Sequence, residues 1–254
     1  MIDAKNRWVF VTGASRGVGR QIALALAEKG CNLLLHARKR EHLETVAHEI
    51  GAFGVKTFLF EADLTQEASI RAMLEAIDAT GVPVDFVWNN AGIQPPEHSN
   101  IWDTPIEDYF TAFQVNIFAP MIICYHFLPL MLQRGFGRIL NVTSGIENKP
   151  ELGAYSTSKG ALTKFTRDLA PRLHGTGVSL HLTDPGWCRT DMAGPDAPND
   201  VSTCIPGILV GAFLEGEESG QYFAAQDFTG LIFDDAVALA EKKVFSSESS
   251  VHAE

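Results

Sequence analysis

Tyr155 and Lys159 stand four residues apart at the start of a stretch, Ala154 to His174, whose apolar spacing predicts a helix, so both project from one face. A free phenol titrates near ~10, too high for a base at neutral pH, and a close ammonium lowers that by ~1–3 units. The pair is therefore suited to an acid/base step. A second chemistry-bearing run is Thr12-Gly13-Ala14-Ser15-Arg16-Gly17-Val18-Gly19. Its glycines let the backbone turn sharply and approach a pyrophosphate, whose charge the exposed N–H groups of a following helix favour.

Such groups must be held by a scaffold, and the hydrophobic pattern supplies one. Trp8-Val9-Phe10-Val11 reads as a buried strand and Gly19 to Lys29 as a helix on it. The couplet recurs: Asn32 to His36 before Glu41 to Ile50, Thr57 to Phe60 before Gln66 to Ala79, and Asp85 to Trp88 before a long apolar helix from Ile106 to Leu132. Arg138 to Val142 then precedes Ala154 to His174, and Val178 to Leu182 precedes Asp184-Pro185-Gly186. Strands that are apolar throughout, not alternating, are covered on both faces. The expectation is an α/β fold, a doubly wound parallel sheet with helices on both faces (a Rossmann fold), as a single domain over 1–254. Right-handed crossovers put every strand's carboxyl end, and the ligand crevice, along one edge. The Gly- and Pro-rich segment at about 187–215 follows the sixth strand at that edge and is expected to be a substrate lid. Residues 245–254 are expected to be a frayed tail.

The bulk composition narrows the partners. Of 254 residues, 46% are hydrophobic and 20% charged, which suits a globular chain. The net charge of -11 repels nucleic-acid phosphates. Cys31, Cys124, Cys188 and Cys204 lack the paired spacing of a zinc site or a disulfide framework, so no metal is expected. The N-terminal residues carry no secretory pattern, and the apolar run Phe118 to Leu132 is too short and too interrupted for a membrane span. A cytoplasmic protein without membrane or nucleic-acid partners is the expectation. His36, His126 and His181 read as satisfied core or surface histidines.

The second strand runs into His36-Ala37-Arg38-Lys39-Arg40, where an NAD site would carry an acid for the ribose hydroxyls. Arg38, helped by Arg16 in the turn, is expected to pair with the 2′-phosphate of NADP, for which a guanidinium fork is suited. NADP(H) is thus the expected cofactor, with NAD(H) as the lesser alternative.

Taken together and in order, these residues resemble the short-chain dehydrogenase/reductase family. The matching positions are Thr12 through Gly19, Asp63-Leu64, Asn89-Asn90-Ala91-Gly92, Asn116, Ser144, Tyr155 with Lys159, and Pro185-Gly186 followed by Thr190. The resemblance implies that Tyr155 exchanges a proton with the substrate oxygen, Ser144 hydrogen-bonds that oxygen, and Lys159 holds the nicotinamide ribose. It implies that Asn116 anchors a proton-relay water. Cofactor contacts would come from Gly13, Ser15, Arg16, Gly17, Val18 and Gly19, from Asp63 and Leu64 at the adenine, and from Asn90, Ala91 and Gly92 at the adenosine ribose. Pro185, Gly186 and Thr190 would meet the nicotinamide end. Two departures stand out. The Ser144 to Tyr155 interval is shorter than the family's usual one, with Thr143 as the neighbouring hydroxyl should the register differ. The family's usual C-terminal signature is also missing, and Ser219 to Phe223 suggests a final strand like that of carbonyl-reductase-like members. A monomer or homodimer is therefore expected over the family's tetramer, with the helices from Ile106 and Ala154 available to pair.

Ile93, Gln94, Glu147 and Trp187 are the expected substrate-side residues, together with Ser144. The activity so implied is NADP(H)-dependent interconversion of a small-molecule carbonyl and its alcohol. The competing reading is a dinucleotide sensor or scaffold without turnover; intact Asn116, Ser144, Tyr155 and Lys159 argue against it. An extended nucleotide-sugar epimerase would need a larger substrate domain.

Overall fold

In a computed structural model, which describes residues 1–251 with side chains through 244, seven parallel strands form one sheet in the order β3-β2-β1-β4-β5-β6-β7. The strands are β1 (Trp8–Val11), β2 (Asn32–Ala37), β3 (Thr57–Glu61), β4 (Val84–Asn89), β5 (Gly137–Val142), β6 (Val178–Asp184) and β7 (Tyr222–Ala224). Every residue of β1, β4 and β5 is buried, as their unbroken apolar patterning requires. Alternate residues feed two cores. Val9, Val11, Leu33, Leu35, Phe86, Trp88, Leu140 and Val142 face one side, beneath helices α1 (Gly17–Glu28), α2 (Glu44–Gly51) and α7 (Phe233–Val251). Phe10, Leu34, Val87, Ile139 and Leu180 face the other, beneath α3 (Glu67–Asp78), α5 (Ala119–Arg134) and α6 (Gly153–Leu169). The chain is one doubly wound domain.

The helix expected from Ile106 is interrupted. α4 (Ile106–Phe113) passes through one π-helical turn, Gln114–Phe118, into α5. By length and composition the span Ile106–Arg134 could cross a bilayer, yet over half of its most apolar window is buried. Ile123, Phe127, Leu128 and Met131 fill the core on that side of the sheet.

Two stretches bear on expectations for the C-terminal end. Within the stretch expected as a lid, 187–215, Cys204, Ile208, Leu209, Val210, Ala212, Phe213 and Leu214 are all at most 5% exposed and belong to the core. Gly and Pro in that stretch accompany a packed connection and not a mobile one. Of the tail expected at 245–254, α7 is assigned through Val251, and the remaining residues lie outside those described.

Candidate active site

The strand order reverses between β1 and β4, so the crevice opens where their carboxyl ends diverge. Gly13 and Gly17 take φ of +66° and +54°, the left-handed region that glycine enters without penalty. A Cβ on Gly19 would run into the Gly13 carbonyl and the Asn90 amide, so helix and turn pack too closely for any side chain there. Thr12 and Asn90 brace the turn. Thr12 Oγ1 accepts from the N–H groups of Asn90 and Ala91, each at 3.0 Å, and Asn90 Nδ2 donates to the carbonyls of Thr12 and Gly13 at 2.9 and 3.2 Å. Helix α1 starts at Gly17 with no side-chain cap and no acid in its first turn. Its first N–H groups and its dipole are thus suited to an anion, and the close-packed cradle fits a pyrophosphate.

Beyond the crevice, α6 presents Tyr155 and Lys159 on one face. Lys159 is buried; its Nζ donates to the Val142 carbonyl at 2.7 Å and lies 5.9 Å from the centre of the Tyr155 ring. Ser144 lies close enough to the Tyr155 phenol to act on its titration, and its Oγ accepts from the Ile146 N–H at 3.3 Å. Thr143, the alternative hydroxyl, is turned into α6, 2.8 Å from Thr163 Oγ1 and donating to the Lys159 carbonyl, so the register favours Ser144. Asn116 sits in the π-helical turn, fully buried. Its Nδ2 donates to the Ile93 carbonyl and to Ser158 Oγ, and its Oδ1 accepts from the Ile93 N–H at 2.8 Å. Those bonds fix the strand-to-helix loop beside Gly92, where an added Cβ would touch both Asn116 and Lys159.

The electrostatics correct one expectation. Burial pushes the Tyr155 phenol above its ordinary value, the nearby Asp184 carboxylate adds to this, and the Ser144 hydrogen bond only partly offsets it. The Lys159 ammonium is drawn down to about 8 by burial, against the pull of Asp184. The ammonium donates to the Val142 carbonyl, and desolvation of the phenolate is the largest influence on Tyr155.

The remaining expected residues divide. Arg38 is exposed near Asp63 and helps hold that carboxyl low, although the Thr65 N–H and hydroxyl contribute more. Leu64 is buried beneath them. Arg16 is not free: its Nη1 pairs with Asp191 Oδ2 at 2.8 Å, across from the loop after β6. Thr190 of that loop packs against Gly17, and its Oγ1 accepts from the Ala193 N–H. Ile93 and Gln94 are half-buried, whereas Glu147 and Trp187 are exposed at the rim. In the loop after β6, the Arg189 N–H donates to the Asn199 carbonyl and the Asn199 N–H to that of Trp187.

The family model for short chain dehydrogenases matches residues 7–200. The chain belongs to the short-chain dehydrogenase family. This short-chain dehydrogenase is 33% identical over 196 residues to a short-chain type dehydrogenase/reductase of Picea abies, covering 74% of this chain and 72% of the relative. It is 34% identical over 200 residues to an Arabidopsis thaliana protein named NADPH-dependent aldehyde reductase-like protein, chloroplastic, covering 74% of each. Among solved structures, a short chain dehydrogenase from Salmonella enterica serovar Typhi superposes with a TM-score of 0.81 at 27% identity, over 89% of this chain and 99% of that one.

Sequence reasoning missed three groups that this short-chain dehydrogenase brings to its site. His36, a satisfied core histidine as expected, has the Gly13 N–H as one of its partners. Asp184, quoted only as part of the turn after β6, directs its carboxylate between the Ser144 loop and Gly186. Tyr222, on a strand of three residues, donates to Asp184 at 2.6 Å. A carboxylate ending a buried strand at the ligand edge was the one available signal.

Proposed function

We propose that this short-chain dehydrogenase interconverts a small-molecule carbonyl and its alcohol, with NADP(H) as the preferred cofactor. The observation that carries the reading is Tyr155 one helical turn from buried Lys159, whose Nζ lies 5.9 Å from the centre of the phenol ring, with Ser144 near the phenol and a pyrophosphate-shaped turn alongside. The nicotinamide, when bound, supplies or accepts the hydride. The chain's own part is to place a proton. Tyr155, a neutral phenol at neutral pH whose ionisation burial further opposes, donates to the carbonyl oxygen in the reductive direction, and Ser144 donates a second hydrogen bond to that oxygen. Lys159, charged or neutral near neutral pH, is the group through which a proton can return to the phenol. Gly13, Ser15, Gly17, Val18 and Gly19 would hold the pyrophosphate, and Asp63, Leu64, Asn90, Ala91 and Gly92 the adenosine side.

The NADP preference is supported by Arg38 at the end of β2, where no acid stands to receive a ribose hydroxyl pair, and by the name of the Arabidopsis relative. A homodimer is supported by the apolar face of α4 and α5, where Ile106, Phe110, Phe118 and Tyr125 are 44–65% exposed.

The test is NADPH oxidation against a panel of aldehydes, diketones, quinones, keto sugars and ketoacyl thioesters, beside Tyr155→Phe. Turnover by the wild type should fall roughly 10²–10⁴-fold in the variant, with NADPH binding retained. Equal turnover by the variant would remove Tyr155 from the proton step. NADPH binding with no turnover of any substrate would favour the sensor reading.

A further inference from the structure

Asp184 is the last residue of β6, and three donors converge on its two oxygens. Oδ2 accepts from the Gly145 N–H at 2.7 Å and from the Tyr222 hydroxyl at 2.6 Å, and Oδ1 accepts from the Gly186 N–H at 2.8 Å. Gly145 adjoins the hydroxyl-bearing Ser144, and Gly186 forms the turn expected to face the nicotinamide. The same turn is held from behind: Gln226 Nε2 donates to the Pro185 carbonyl at 2.7 Å, and its side chain lies so close that a Cβ on Gly186 would meet it at 2.6 Å. The short strand β7 and the turn after it therefore support both sides of the reacting centre.

The geometry points to Asp184 as a positioning residue: its carboxylate, with Tyr222 as third donor, clamps the Ser144 loop to the nicotinamide turn and sets the charge felt by Tyr155 and Lys159. Only a carboxylate suits the place. An asparagine has a single acceptor oxygen and would turn an N–H₂ toward one of the three donors. The ionisable groups facing it are Tyr155 and Lys159 from α6, Tyr222 from β7 and Cys188 from the following loop, while Arg167 and Asp227 act in turn on Tyr222. Its negative charge raises Tyr155 and Lys159 alike. It thereby keeps the phenol a donor and the lysine a cation. Because Lys159 titrates near 8 and Tyr155 above 10, the lysine is already neutral when the phenol ionises, so removing Asp184 acts on the phenol directly.

The inference rests on Tyr155 as the proton donor proposed above, but its first readout needs no turnover. Phenolate absorbance is titrated in the cofactor-free protein, with the Tyr155→Phe protein subtracted, for wild type and Asp184→Asn. Ionisation of Tyr155 is expected at a pH lower by roughly one unit in Asp184→Asn; an unmoved midpoint would overturn the charge role. The second variant, Tyr222→Phe, keeps the carboxylate and serves where Asp184→Asn does not fold. Hydrogen exchange in peptides over 143–152 is expected to quicken roughly tenfold, and kcat to fall roughly tenfold with NADPH affinity unchanged. Exchange equal to wild type would overturn the clamp whether or not any substrate turns over. Loss of all wild-type turnover with these shifts intact would overturn the proposed reaction and leave the clamp standing.

Discussion

The Gly13 N–H donates to Nδ1 of His36 at 3.2 Å. The other ring nitrogen, Nε2, lies 3.1 Å from the Ala62 carbonyl, which can only accept, so the ring carries its proton on Nε2 and offers a lone pair at Nδ1. Burial holds the His36 pKa below its usual value and keeps the ring neutral. A side chain on the second strand thus fixes the first peptide of the phosphate-binding turn from beneath, where the cofactor itself would not touch it.

Replacing that acceptor should loosen the turn. His36→Leu leaves a partly buried N–H unpaired, a cost of about 1–3 kcal/mol. NADPH affinity, read by fluorescence titration, is expected to weaken roughly tenfold, the upper part of that range going into stability. An affinity equal to wild type would show that the turn is self-supporting.

How far this site is legible in sequence depends on chain separation. Tyr155 with Lys159 and the residues from Thr12 to Gly19 lie within single local elements, so spacing alone places them. The parallel sheet follows from mostly apolar, non-alternating strands, whereas its order of seven is set by crossovers that no local pattern records. His36 meets Gly13 across 23 residues and Tyr222 meets Asp184 across 38, and no local periodicity records such a pairing. The π-helical turn is invisible for a different reason: one extra residue in a run as apolar as Ile106 to Leu132 leaves the pattern readable as unbroken helix. The burial of Ile208 to Leu214 was legible in their apolar run, despite the Gly and Pro around it.

Cofactor choice can be tested at two arginines that differ in what they touch. Arg38 is exposed beside Asp63, free to meet a 2′-phosphate, and a charge-assisted bond of that kind contributes about 1.5–3 kcal/mol. Arg38→Asp is expected to move the NADPH to NADH ratio of kcat/KM by roughly 10²-fold or more toward NADH, since it also introduces the missing acid. Arg16 is paired with Asp191, both being about three-quarters exposed. Exposed pairs are worth at most ~1 kcal/mol, so Asp191→Asn should change NADPH affinity by less than about fivefold. A larger change at Asp191 than at Arg38 would reverse the assignment.

Acid should destabilise this protein through His181. The ring is buried, packs edge-on against Phe223 at 5.6 Å, and among the described residues its Nδ1 has no hydrogen-bond partner. Burial, with Arg138 adding to it, brings its pKa from 6.5 down to about 3. The folded state therefore keeps the ring neutral while the unfolded chain takes up a proton below 6.5. The stability tied to the neutral ring is present above 6.5 and is lost as pH falls from there toward 3. At about 1.4 kcal/mol per pH unit, the loss reaches roughly 2 kcal/mol by pH 5. His36, lowered by the same cause, acts in the same direction. Urea unfolding of wild type and His181→Gln at pH 7 and pH 5 separates the two contributions. The variant carries no titrating ring at 181, so the stability gap between the proteins should narrow by roughly 2 kcal/mol at the lower pH. A gap that stays constant would mean that His181 takes up its proton without unfolding, and that its orphaned nitrogen is open to solvent.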